Sequence, residues 1–153
     1  MKDYAIFSNP KNGLEEILPT NGLDNWGALV YVIGPNGKTV TLVDPSKRSP
    51  NDKLPGGKRK GKETPQQTAQ RELKEETGLD VDLKNLFLHG EVDKSGHPSP
   101  HTLFVFVAIV DDFSNVIPVG DEGEIVTVRE LVEIPKMRNF FPPHWGYIQD
   151  LYA

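Results

Sequence analysis

The chain has 153 residues, of which 37% are hydrophobic and 25% charged, with no cysteine and a formal net charge of −5. That size and apolar content suit one soluble domain with a hydrophobic core, and the acidic balance argues against a long nucleic acid as partner. Without thiols, disulfides, zinc–thiolate sites and cysteine nucleophiles are excluded; such usage accords with a cytoplasmic location.

The opening residues MKDYAIFSNPKNG contain no apolar run of signal-peptide length. The longest apolar run, residues 103–110, is far short of the about 20 residues a spanning helix needs, so no membrane association is expected. Residues 1–25 read as a loosely patterned N-terminal extension, with a short strand at 4–7 and loops after it. Residues 27–33, GALVYVI, are rich in β-branched side chains and predict a strand. GPNG then supplies turn chemistry, and 39–43, TVTLV, returns as a second strand. Residues 44–55 read as a polar loop. A helix is predicted over 64–77: Thr64 can cap it, Pro65 fits its first position, Gln67 completes a capping box, and Gly78 supplies a left-handed stop. Further strands are expected at 85–92, at 102–110 with both faces buried, and at 124–128. A short helix should follow Pro142 and Pro143. Trp26, Phe140 and Phe141 are expected in the core. Mixed strands with two helices imply an α/β domain, with helices packed on a mixed sheet.

Residues 54–79, LPGGKRKGKETPQQTAQRELKEETGL, place Glu72, Glu75 and Glu76 within five positions. On a helix turning by about 100° per residue, Glu75 lies about 60° to one side of Glu72 and Glu76 about 40° to the other. Like charges so close repel, and desolvation against a sheet raises the cost. Two readings compete: a solvated face balanced by Arg71 and Lys74, or a site for a hard cation such as Mg²⁺, which takes oxygen ligands and pairs with phosphate oxygens. The helical wheel alone does not separate them.

The neighbouring residues do. Gly57, five residues, Glu63, seven residues, Arg71-Glu72-Leu73, one residue, Glu75-Glu76, one residue, and Gly78-Leu79 reproduce the Nudix box at every specified position. The chain therefore resembles the Nudix hydrolases, MutT-like enzymes that mostly cleave nucleoside diphosphates linked to another moiety with the help of divalent cations. The resemblance implies an α/β/α sandwich, and Mg²⁺ with Mn²⁺ as a substitute. It implies Glu75 and Glu76 as metal ligands, Glu72 as ligand or water-activating base, and the Gly56 carbonyl in the metal shell. Arg71 would orient the glutamates, with Glu63, Gly57 and Gly78 as structural support. A further acidic ligand is expected from GDEGE, where Asp121, Glu122 and Glu124 are available and Glu122 is favoured.

The basic residues clustered at 47–62, among them Arg48, Lys58 and Arg59, are candidates to hold substrate phosphates. His101 and Trp145 are candidates for the rest of the substrate. Trp145 could stack on a ring or pack in the core, and those alternatives stay open. GGKRKGKE nearly spells a phosphate-binding P-loop, but Glu63 stands where that motif needs Ser or Thr. Pro98 and Pro100 prevent His97 and His101 from aligning as a helical zinc pair. The expected substrate is a small nucleotide: a nucleoside triphosphate, ADP-ribose or a nucleotide sugar. The alternative is a catalytically silent domain that binds a nucleotide and regulates a partner. Monomer and homodimer are both compatible with the chain.

Overall fold

A computed structural model describes residues 4–8, 15–19, 25–99 and 101–152. Strands β1 (Tyr4–Ser8) and β2 (Glu15–Pro19) pair antiparallel. Strands β3 (Trp26–Ile33) and β4 (Lys38–Val43) follow, separated by a short 3-10 turn at Pro35–Gly37. Two very short strands, β5 (Asp52–Lys53) and β6 (Gly56–Lys58), precede helix α1 (Pro65–Thr77). Beyond it run β7 (Leu86–Lys94), β8 (His101–Ile109), β9 (Ile125–Glu130) and helix α2 (Pro142–Ile148).

A four-stranded mixed sheet has the order β6-β3-β8-β7, with β3 and β8 parallel and the outer pairs antiparallel. A three-stranded antiparallel sheet has the order β5-β4-β9. The two central strands of the larger sheet read as continuous apolar runs because both of their faces are covered. Ala28, Val30 and Val32 of β3, with Phe104, Phe106 and Ala108 of β8, pack in one core with Ala69 and Leu73 of α1. The alternate residues Leu29, Tyr31 and Val105 pack in a second core with Ile134, Phe140 and Ile148. Ile148 lies at the end of α2, so helices cover the sheet from opposite sides. This is the expected α/β architecture.

Helix α1 matches its sequence signals. Thr64 accepts from the Gln67 N–H, the Gln67 side chain accepts in return from the Thr64 N–H, and Pro65 takes the first turn. Gly78 stops the helix at φ 85°, and a Cβ there would come within 2.3 Å of the Asn115 carbonyl.

Four expectations need correction. β2 lies in a stretch read as loop. Residues 44–55 hold β5, whose two residues are too few to show periodicity. The C-terminal helix begins at Pro142, earlier than expected, because a proline's missing N–H costs nothing in a first turn. Phe141 is 37% exposed and not in the core. The loop residues expected at 9–14 lie outside the described residues.

The capping box yields a stability prediction. Thr64→Ala should cost about 1 kcal/mol in urea unfolding while Thr64→Ser costs little, since the hydroxyl supplies the acceptor. Equal midpoints for the two variants would show the cap to be idle.

Candidate active site

Arg71 organises one side of the site. Its Nε donates to Glu63 Oε2 at 2.7 Å, and Nη1 donates to Glu72 at 2.9 Å and to Glu75 at 3.0 Å. Nη2 reaches the Lys58 carbonyl and Glu63 Oε1. One planar guanidinium thereby joins the loop at 58–63 to two carboxylates of α1, which a lysine's point charge could not do. Burial pulls the Glu63 carboxyl upward, but the Arg71 guanidinium and the Lys60 N–H outweigh it and hold it below the usual range. At Glu72 burial wins over Arg71, and the carboxyl sits above its usual range. Glu72 lies so close to the β6 backbone that a Cβ on Gly57 would come within 2.5 Å of its carboxylate. A side chain at position 57 would have to displace that carboxylate.

Glu76 turns the other way. It is 5% exposed, and its Oε1 accepts from the Gly56 N–H at 2.7 Å. Burial pushes it up to about 8, helped by the charges of Glu72, Glu124 and Glu122 and opposed by the Gly56 N–H. The turn at 120–124 docks against the end of α1: the Asp121 N–H reaches the Glu75 carbonyl, and the Gly120 N–H reaches the Glu124 carbonyl. This docking brings Glu122 and Glu124 to Glu76, with one oxygen of each within 4.8 Å of the others. Glu124 Oε2 lies 2.7 Å from Lys53 Nζ but receives no well-directed hydrogen bond. Three hard oxygen donors, two of them largely buried and only partly compensated, fit Mg²⁺ or Mn²⁺.

These carboxylates open into a cavity of about 530 Å³. Its wall includes Lys47, Lys53, Lys58, His101, Phe141 and His144. The segment around β5 carries both ends of this arrangement. Buried Asp52 accepts from Thr41 and from two nitrogens of Arg129, and its backbone pairs with Asn139 and Phe141. Lys53 pairs with Glu124, and the Leu54 N–H donates to His144 Nδ1 at 3.0 Å. Burial, assisted by the charges of Lys53 and Lys94, lowers His144 to about 4.

The structure sorts the residues singled out in the sequence. Gly56, Gly57, Lys58, Glu76, His101 and Glu122 line the cavity. Glu63, Glu72 and Glu75 gather on Arg71 beside it, and Gly78 ends the helix that carries them. Arg48 is exposed and lies off the cavity wall. Arg59 lies over the Trp26 ring at 4.3 Å, also off that wall. Trp145 packs on the second core, 5.5 Å from the Tyr152 ring. It turns inward because Phe141 and His144, on the same short helix and its cap, take the cavity side. From the sequence Glu124 is an alternative to the favoured Glu122, Lys53 is one of the basic residues at 47–62, and Phe141 is a core residue; sequence reasoning gives His144 no role. Only the alternation Glu122-Gly-Glu124 hinted at a second acidic group reaching the same point.

A family model described as NUDIX domain matches residues 24–151. No curated protein matches the chain at a significant level. Among solved structures, a mutator MutT protein from Bacillus halodurans is 22% identical with a TM-score of 0.64, covering 85% of this chain and 84% of that one. A bifunctional NMN adenylyltransferase/ADP-ribose pyrophosphatase from Francisella tularensis is 19% identical with a TM-score of 0.66, covering 84% of this chain but 41% of that one. A MutT/Nudix family protein from Enterococcus faecalis is 19% identical with a TM-score of 0.58, covering 72% and 45%. The chain thus spans under half the length of the last two. At these identities the likeness is one of fold. No helix among the described residues is long and apolar enough to cross a membrane.

The lowered His144 carries a pH dependence of stability. Unfolding returns it from about 4 to its ordinary 6.5, so the unfolded chain binds the extra proton. The stabilisation is complete above pH 6.5 and declines as pH falls toward 4. His144→Asn retains an acceptor for the Leu54 N–H and does not titrate. Between pH 8 and pH 5 the wild type should therefore lose about 2 kcal/mol more than this variant in urea unfolding. Parallel pH profiles would contradict the assignment.

Proposed function

Because the chain belongs to the NUDIX domain family, whose model matches residues 24–151, we propose that it hydrolyses a pyrophosphate bond in a small nucleoside diphosphate derivative. Candidate substrates are a nucleoside triphosphate, an ADP-ribose-like compound or a nucleotide sugar. The observation that carries this reading is the convergence of Glu76, Glu122 and Glu124 at a cavity that also presents Lys47 and Lys58.

Glu76, Glu122 and Glu124 would hold the divalent cation, with Glu75 and Glu72 beside them on the same helix. Bound Mg²⁺ or Mn²⁺ would supply charge neutralisation at phosphoryl oxygens and acidify a bound water. Glu72 is suited to take a proton from the attacking water, since its burial makes it a stronger base than an exposed carboxylate. Arg71 fixes the direction of Glu72 and Glu75, so that neither has to be oriented during the reaction. Lys47 and Lys58 would attract phosphate oxygens toward the carboxylates. Phosphate binding calls for an excess of positive charge near an otherwise acidic site, and the basic loops at 47–62 provide it.

The test is turnover of a nucleotide panel with Mg²⁺, with Mn²⁺ and with EDTA. At least one compound should be cleaved with either cation and none with EDTA. Glu76→Gln should lower kcat by at least about a hundredfold, with an unchanged circular dichroism spectrum. Mn²⁺ binding by calorimetry should weaken in the same variant. Wild-type turnover in Glu76→Gln would overturn this reading.

A further inference from the structure

Lys53 is the basic side chain that meets the carboxylates assigned above to the cation. Arg71 is engaged by Glu63, Glu72 and Glu75, and Glu76 accepts from the Gly56 N–H. Among the described residues, the pair of Lys53 Nζ with Glu124 Oε2 at 2.7 Å is the only ion pair to Glu76, Glu122 or Glu124. It differs in kind from the contacts of Arg71. Glu124 Oε2 is buried but receives no well-directed hydrogen bond, so charge and proximity hold the pair together. An ammonium group is a compact point charge on a flexible stem, and it changes partners more readily than a guanidinium held by several bonds.

The backbone around Lys53 is fixed on both sides. Lys53 lies opposite Leu42 in the β4–β5 pair. Buried Asp52 before it is held by Thr41 and Arg129, and the Leu54 N–H after it donates to His144. The side chain is left as the part that can move. It is 38% exposed, against 11% for that of Glu124, and it stands on the cavity wall with Lys47 and Lys58. Its ammonium group therefore has two places to go: onto Glu124 or out into the cavity. Coulomb attraction chooses between them. Lys53 brings one charge to one carboxylate. A divalent cation brings two charges and is shared by three carboxylates. The two cations repel each other, so each opposes the other at Glu124.

We propose that Lys53 is a built-in counter-ion of the metal site: it pairs with Glu124 until a divalent cation takes that carboxylate, and its released ammonium group then joins Lys47 and Lys58 as a charge for substrate phosphates. The inference rests on the proposed function for the three ligands, but competition for Glu124 does not require hydrolysis. The exchange couples the two ligands, because the cavity gains its third free ammonium group only when Glu124 is taken from Lys53.

Two measurements on the full chain separate the two readings. The first is calorimetric titration with Mn²⁺ in the absence of nucleotide. Lys53→Met and Lys53→Gln both remove the charge, and each should bind Mn²⁺ about fivefold more tightly than the wild type. Lys53→Arg keeps the charge and should stay within about twofold of the wild type. Lys47→Met removes a charge from the same cavity without touching Glu124, and it should also stay within about twofold. A lysine that only orients Glu124 predicts weaker binding in the two neutral variants, and that result would overturn the exchange. So would a gain in Lys47→Met equal to that in Lys53→Met, which would reduce Lys53 to a background charge. The second measurement is KM at saturating Mn²⁺ for a nucleotide that is cleaved. Lys53→Met should raise it about fivefold, and an unchanged value would overturn the release toward substrate. Tighter Mn²⁺ binding in the neutral variants with no nucleotide cleaved would overturn the pyrophosphatase reading and support the exchange at Glu124. Cleavage with equal Mn²⁺ affinities in all variants would overturn the exchange alone, and no Mn²⁺ binding by any of them would overturn both.

Discussion

The site depends on one electrostatic constraint: a guanidinium must stand among carboxylates that would otherwise repel. Arg71 meets Glu63, Glu72 and Glu75 and also holds the Lys58 carbonyl, so the same contacts that balance charge attach the glycine loop to the helix. Glu76 has no share in this arrangement. Burial and the charges of Glu72, Glu124 and Glu122 favour its neutral form, and the Gly56 N–H is directed at its carboxylate. The helix therefore carries two kinds of glutamate, two oriented by Arg71 and one held at the cavity with Glu122 and Glu124. That division follows from the helical positions of the side chains.

The second constraint is a short stretch of extended chain. Residues 52–57 contribute few side chains to either core, yet they touch every part of the site. Asp52 holds the segment leading into α2, Lys53 pairs with Glu124, Leu54 orients His144, and Gly56 and Gly57 receive Glu76 and Glu72. A displacement of this stretch would move the carboxylate end and the ring end of the cavity together. The buried anchors of Asp52, Thr41 on one side and Arg129 on the other, oppose such displacement.

The large sheet supplies the rigid frame. Its two central strands are parallel and covered on both faces, which places α1 on one side and α2 on the other. Glu72, Glu75 and Glu76 come from α1 and the rings from α2 and its cap, while Glu122 and Glu124 come from the turn before β9. The fold tolerates wide divergence: the solved structures described above share it at 19–22% identity.

The sequence by itself determined α1 with its cap and stop, the apolar central strands, and the charged residues that meet at Arg71. Each of those is a local matter of hydrogen bonding, periodicity or spacing within about 20 residues. Only the tertiary structure decided that Glu124 joins Glu122, that Arg59 lies on Trp26, and that Phe141 and His144 face the cavity while Trp145 turns to the core. In each case the partner is distant along the chain or the choice lies between adjacent side chains. A two-residue strand such as β5 has no period to read. Its position comes from Asp52 pairing with strands and loops far away in the sequence, and composition carries no record of those contacts.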